Sequence, residues 1–285
     1  MNYTIFKKNK FVSAVICSNV LISLVGCNDN AGVQTLPKRT YQLVWSDEFN
    51  NTTTSVVDNT KWNIDSGIGS NNDGWGNDEK EYYTSRDTNI IVKNGCLTIT
   101  ALKELYGGKS FTSARINTKG LFEHAYGRIE ARIKTPYGPG IWPAFWMMGA
   151  NNDSVVWPDC GEIDIMELRG QKSNIINGTL HGPGYSGVSA IEKSFAFVND
   201  RFDSGFHVLA VEWGINYIDF YVDNTLYQEV TPKSVPGKWV FDHPFYIILN
   251  VAVGGNYVGG WPSEQTPFPQ TMLVDYVRVY KEVSK

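Results

Sequence analysis

From residue 41 onward the chain alternates apolar and polar residues with a period of two. Ile129, Ala131 and Ile133 interleave with Arg128, Glu130, Arg132 and Lys134, as in a strand with one face against a core and the other toward water. Residues 217–222 alternate likewise and run into the turn pair Asp223 and Asn224. A further strand-like run, 226–230, follows, and this spacing predicts a hairpin. More strands are predicted over 41–45, 97–102, 111–117, 144–148, 175–181, 206–213, 245–253 and 273–280, with Gly, Pro, Asn and Asp between them. No segment sustains the i, i+3, i+4, i+7 apolar spacing of an amphipathic helix. Many short strands without helices predict an all-β fold, an antiparallel two-sheet sandwich. No composition break or internal repeat divides residues 41–285, so a single domain is expected.

The N-terminus reads differently. Lys7, Lys8 and Lys10 precede a mostly apolar stretch, 11–25, shorter than the roughly 20 residues of a spanning helix. Leu24, Val25, Gly26 and Cys27 end it in a pattern that resembles a bacterial lipobox. Residues 1–26 are expected to be a signal peptide, Cys27 to carry a lipid and 27–40 to be a polar tether; the rival is an ordinary signal peptide with an incidental Cys. The chain is then exported and lipid-anchored in an outer membrane, with the cell surface as its expected place and a monomer as its expected state. With a formal net charge of -4 and no basic cluster beyond the N-terminus, no nucleic-acid partner is expected. Cys96 and Cys160 are the two cysteines left in the domain; two buried free thiols are favoured over a disulfide, though export permits one.

Residues 162–167 are the most informative stretch. Ile163 and Ile165 face the core, so Glu162 and Asp164 share the opposite face. Strict alternation would send Glu167 inward, where an ionised carboxylate costs several kcal/mol. A β-bulge near Ile165 or Met166 would return it to the polar face. The two Glu Cα atoms would then lie roughly 13 Å apart. Side chains leaning inward over a curved sheet could bring the carboxyls to about 5–5.5 Å, the separation of a retaining glycosidase. Asp164 between them adds charge that raises a neighbour's pKa and keeps one Glu protonated. A solvated acidic face and a Ca²⁺ site are the rivals, although Ca²⁺ loops are usually turn-rich. Aromatic residues form 13% of the chain, with nine Trp, more than a sandwich core needs. Some of these rings are expected to line a binding surface, rimmed by the polar loops 67–77 and 157–161.

The run Glu-Ile-Asp-Ile-Met-Glu resembles the signature of family 16 glycoside hydrolases in its six-residue, bulged form. Matching stretches include Val-Trp-Ser-Asp-Glu-Phe over 44–49, Ser-Ala-Arg-Ile over 113–116 and the alternating strand 127–134. They continue with Ile-Trp-Pro-Ala-Phe-Trp-Met-Met over 141–148, Thr-Leu-His-Gly over 179–182, and the runs 249–255 and 274–280. Together they are similar to the laminarinase-like branch, which cuts β-1,3- and mixed-linkage β-1,3-1,4-glucans. The resemblance implies a β-jelly roll with a concave substrate cleft and a β-glucan polysaccharide as partner. It makes Glu162 the nucleophile, Glu167 the general acid/base and Asp164 the residue that orients the nucleophile. It places Trp142, Trp146, His181, Arg115 and Asn77 against substrate. No cofactor is implied for catalysis. A structural Ca²⁺ is implied at Asp275 with backbone oxygens near Glu48 and Gly95. Many relatives have Gln where Glu81 stands; Glu79 and Glu81 read as structural or as supports behind the site. The linkage stays open between β-1,3 and mixed linkage, since the loops 67–75 and 256–262 decide it. A non-catalytic sugar-binding sandwich, a transglycosylase and a galactan hydrolase remain rival readings.

Overall fold

The computed structural model describes residues 39–283 apart from residue 52. The expected signal peptide and Cys27 lie outside the described residues, as does most of the expected tether. The compact unit is Arg39–Lys285. Its described strands are β1 (Tyr41–Asp47), β2 (Asn63–Asp65), β3 (Glu81–Tyr83), β4 (Ile90–Lys93), β5 (Cys96–Tyr106), β6 (Lys109–Ser113), β7 (Arg115–Asn117), β8 (Gly127–Lys134), β9 (Ile141–Gly149), β10 (Glu162–Leu168), β11 (Ile175–His181), β12 (Ile191–Ala196), β13 (His207–Gly214), β14 (Tyr217–Val222), β15 (Thr225–Val230), β16 (Phe245–Val253) and β17 (Gln270–Glu282).

Two sheets form. One runs β15-β14-β13-β8-β17-β5-β6-β3, with β1 on β17 and β4 on β5; the other runs β12-β11-β10-β9-β16-β7-β2. Pairing is antiparallel except where β3 lies parallel to β6. The all-β, two-sheet sandwich expected from the alternation is therefore the fold. The core lies between the sheets, with Ile129, Ala131 and Ile133 of β8 facing Phe145 and Met147 of β9, Ile163 of β10 and Leu249 and Val251 of β16 in one buried cluster. That burial is the main stabilising term.

Several expectations are corrected in detail. The run 111–117 is two strands, broken at Ala114: β6 joins the first sheet and β7 crosses to pair with β16 in the second. The face of β8 expected to be wet is half-covered. Arg128 pairs with Glu130 and Glu212, and Tyr280 donates to Glu130. Cys96 and Cys160 are both free thiols, but only Cys160 is buried. Its Sγ lies 3.6 Å from the Met148 sulfur.

Candidate active site

The outer face of the seven-stranded sheet gathers the acidic residues, and the register of β10 explains how. Against β9, Asp164 pairs with Trp146 but Met166 pairs with Phe145; against β11, Asp164 pairs with Thr179 and Glu167 with Asn177. One extra residue sits between Asp164 and Glu167, so the β-bulge lies where the sequence required it. Ile163, Ile165, Met166 and Leu168 are buried in the core, and Glu162, Asp164 and Glu167 take the other face together. Neighbouring strands place Trp146 and Thr179 beside Asp164, His181 beside Glu162, and Ala144 and Asn177 beside Glu167.

Each carboxyl is held. The Trp142 indole donates to Glu167 Oε1 at 3.1 Å and the Thr179 hydroxyl to Oε2 at 3.4 Å. The Trp157 indole donates to Glu162 Oε2 at 2.7 Å. His181 Nε2 is 3.1 Å from Asp164 Oδ2, and His181 Nδ1 accepts from the Gly187 amide. Burial pushes all three carboxyls above the ordinary range. For Glu162 the next cause is the charge of Asp164; for Asp164 it is that of Glu167; for Glu167 it is that of Glu162. Glu162 and Asp164 also share a hydrogen bond. Three desolvated carboxyls this close cannot all be charged, so the cluster retains protons near neutral pH and titrates as a unit.

The aromatic rings expected at a binding surface flank this trio. Trp142 stacks on Tyr257 at 4.9 Å. Trp146 donates to Asn250 Oδ1 at 2.8 Å and lies under the Arg115 guanidinium, which also covers Trp75. Arg115 is paired with Asp65 at 3.1 Å. Asn77 sits in the irregular turn Gly74–Asp78, with its amide 3.4 Å from Glu79 Oε1. Trp157, Tyr257, Asn250 and Thr179 were not singled out from the sequence. The available signals were a Trp in the polar loop directly before the acidic strand and an aromatic in the loop already flagged for linkage.

Among the described residues, the side chains close enough to hold a metal together are Glu162, Asp164 and His181, the same groups that form the acidic cluster. The segments expected to hold calcium run along paired strands. Asp275 stands where β17 changes register against β8; Val274 pairs with Leu97, two residues from Gly95, and Asp47 beside Glu48 pairs with Val277. A carboxylate with main-chain oxygens is calcium chemistry. Here Asp275 Oδ2 is taken by Arg132 at 2.8 Å, and the Glu48 side chain is held by Arg278.

A family model described as glycosyl hydrolases family 16 matches residues 77–278. A beta-glucanase from Rhodothermus marinus is 38% identical over 273 residues, covering 93% of this chain and 93% of its own. Glucan endo-1,3-beta-glucosidase A1 from Niallia circulans is 39% identical over 84% of this chain, which spans only 38% of that longer protein. Among solved structures, the laminarinase catalytic domain from Thermotoga maritima MSB8 has a TM-score of 0.81 at 47% identity, covering 86% of this chain and 99% of the other.

Proposed function

The chain belongs to glycosyl hydrolase family 16, and we infer that it is a retaining endo-β-glucanase acting on β-1,3- and mixed-linkage β-1,3-1,4-glucans. The observation that carries this reading is the bulge in β10, which sets two glutamates and an aspartate on one face. In the proposed mechanism Glu162 attacks the anomeric carbon and forms a glycosyl ester, while Glu167 gives its proton to the departing glycosidic oxygen. Glu167 then takes a proton from water, whose oxygen displaces Glu162 and restores both groups. Asp164, hydrogen-bonded to Glu162, orients the nucleophile and holds a proton beside it. Trp142 and Trp157 fix the two glutamates through their indole N–H groups. Trp146, Arg115, His181 and Asn77 form the proposed sugar-binding surface around them. We place the enzyme, as a monomer, in the outer membrane through a lipid on Cys27, reaching polymer at the cell surface.

The test is a digest of laminarin, barley mixed-linkage glucan, carboxymethylcellulose and agarose with product sizing. Laminarin and mixed-linkage glucan should shorten rapidly to oligosaccharides whose newly formed ends appear first as the β-anomer. Glu162→Gln and Glu167→Gln should each lower turnover by about a thousand-fold or more with the melting temperature retained. Release of α-anomer first, or near wild-type turnover in either variant, would overturn the reading.

A further inference from the structure

Behind the site lies a second acidic pair that the mechanism does not use. Glu79 is 3% exposed and Glu81 fully buried; they stand two residues apart, and burial, then the charge of Glu79, raises the Glu81 carboxyl. Two neighbouring carboxyls this deeply buried cannot both be ionised, so one of them holds a proton. The surroundings say where it sits. Glu81 Oε2 accepts from the Val253 amide at 2.6 Å, but Glu81 Oε1 is buried with no other partner. Glu79 is surrounded by donors: the Tyr83 hydroxyl gives to Oε2 at 3.0 Å and the Asn77 amide to Oε1 at 3.4 Å. Burial raises the Glu79 carboxyl, and the Arg115 charge opposes this by favouring its ionised form.

The donors behind Tyr83 form a line. Asn250 Nδ2 donates to the Tyr83 oxygen at 3.1 Å, and the Trp146 indole donates to Asn250 Oδ1 at 2.8 Å. Trp146 is the cross-strand neighbour of Asp164. Every bond in this line points its donor toward Glu79, so a charge there strengthens the whole series.

We propose that Glu79 and Glu81 share one proton, carried on Glu81 Oε1 and donated to the Glu79 carboxylate, and that the pair positions Trp146 in the cleft through Tyr83 and Asn250. Glu79 and Glu81 are positioning residues; neither touches substrate. The charged and polar groups facing the pair are Arg115 from β7, Lys109 from β6 at the Glu79 carbonyl, Tyr83 on β3, Asn77 from its turn and the Val253 amide of β16. Burial, then the charge of Glu79, pushes the Glu81 carboxyl well above its ordinary value. A group raised in the folded state stabilises fully below its unfolded pKa, and that stability is lost as pH rises through the folded value. The pair therefore weakens the fold on the alkaline side.

Glu81→Gln keeps a donor in place of the acid and removes the titration. Its melting temperature should match wild type near pH 5 and exceed it by about 4 °C or more at pH 8–9, with kcat and KM near wild type at pH 6. Glu81→Leu and Tyr83→Phe interrupt the line and should raise KM for laminarin several-fold with kcat within two-fold. Tyr83→Phe reads the same link if the Leu variant does not fold. The melting arm is independent of the glucanase reading; the KM arm rests on it. A Glu81→Gln variant whose melting curve tracks wild type at every pH, or whose KM rises as far as that of Tyr83→Phe, overturns the proposal.

Discussion

Trp157 donates to Glu162 Oε2 from a loop, with 43% of the residue exposed. A hydrogen bond to the ionised form lowers a carboxyl pKa. Here it opposes the larger effects of burial and of the Asp164 charge, both of which favour the protonated form. The proposed nucleophile must be ionised to attack, so this indole extends the active range toward acid. Trp157→Phe keeps a ring beside His181, which lies 5.7 Å from Trp157, and deletes only the donor. The acid limb of kcat/KM should move to higher pH, with a loss of roughly three- to ten-fold below the limb that shrinks as pH rises through the Glu162 value, pushed up to about 8. A loss equal at all pH values would mean that the ring acts through sugar contact and not through Glu162. His181 favours ionisation of Glu162 and Glu167 alike, so removing it would move both limbs and could not separate the two roles.

At the scale of the element, β10 shows what a sequence can and cannot display. Alternation identifies its core face, and the cost of burying Glu167 requires a bulge. Deleting Ile165 removes the extra residue and leaves Glu162, Asp164 and Glu167 on one face by plain alternation, with Met166 in the core position; the variant should fold and retain activity. A folded ΔIle165 protein whose turnover falls by about a thousand-fold or more would show that the bulge's local geometry, and not the shared face alone, sets the two glutamates. Long alternating strands were legible to the residue: β8, β11, β14 and β16 begin and end where the pattern does. β2, β3, β4 and β12 were not foreseen, since three or four residues are too few to show a period and β12 is mostly exposed. The break at Ala114 was invisible because both halves of 111–117 are apolar enough for a strand, and only pairing assigns them to different sheets. The same limit hid Asn250 and Thr179. They reach Trp146 and Glu167 through strand register, which composition does not encode.

At the scale of the molecule, the point where the chain enters the compact unit fixes which side a tether can hold. Arg39 pairs with Glu212 on β13 and Asp219 on β14 and lies 4.1 Å over the Tyr217 ring. These groups belong to the ten-stranded sheet, whereas the proposed active site opens from the seven-stranded one. Asp219 is 2% exposed, and burial raises its pKa to about 6 despite the Arg39 charge. Arg39 thus neutralises a carboxylate that is expensive to leave alone, and this holds the start of the domain on the sheet opposite the cleft. About a dozen residues separate Arg39 from Cys27, a reach of at most about 40 Å. If Cys27 carries the lipid, the linking residues can hold Arg39 at most that far from the membrane. Expressed with its signal, the protein should fractionate with membranes, and Cys27→Ala should move it to the soluble fraction while kcat and KM on soluble laminarin stay within two-fold of wild type. Membrane retention of the Cys27→Ala protein would remove the lipid from the account. Release accompanied by a large fall in activity would mean instead that the lipidated N-terminus contributes to turnover.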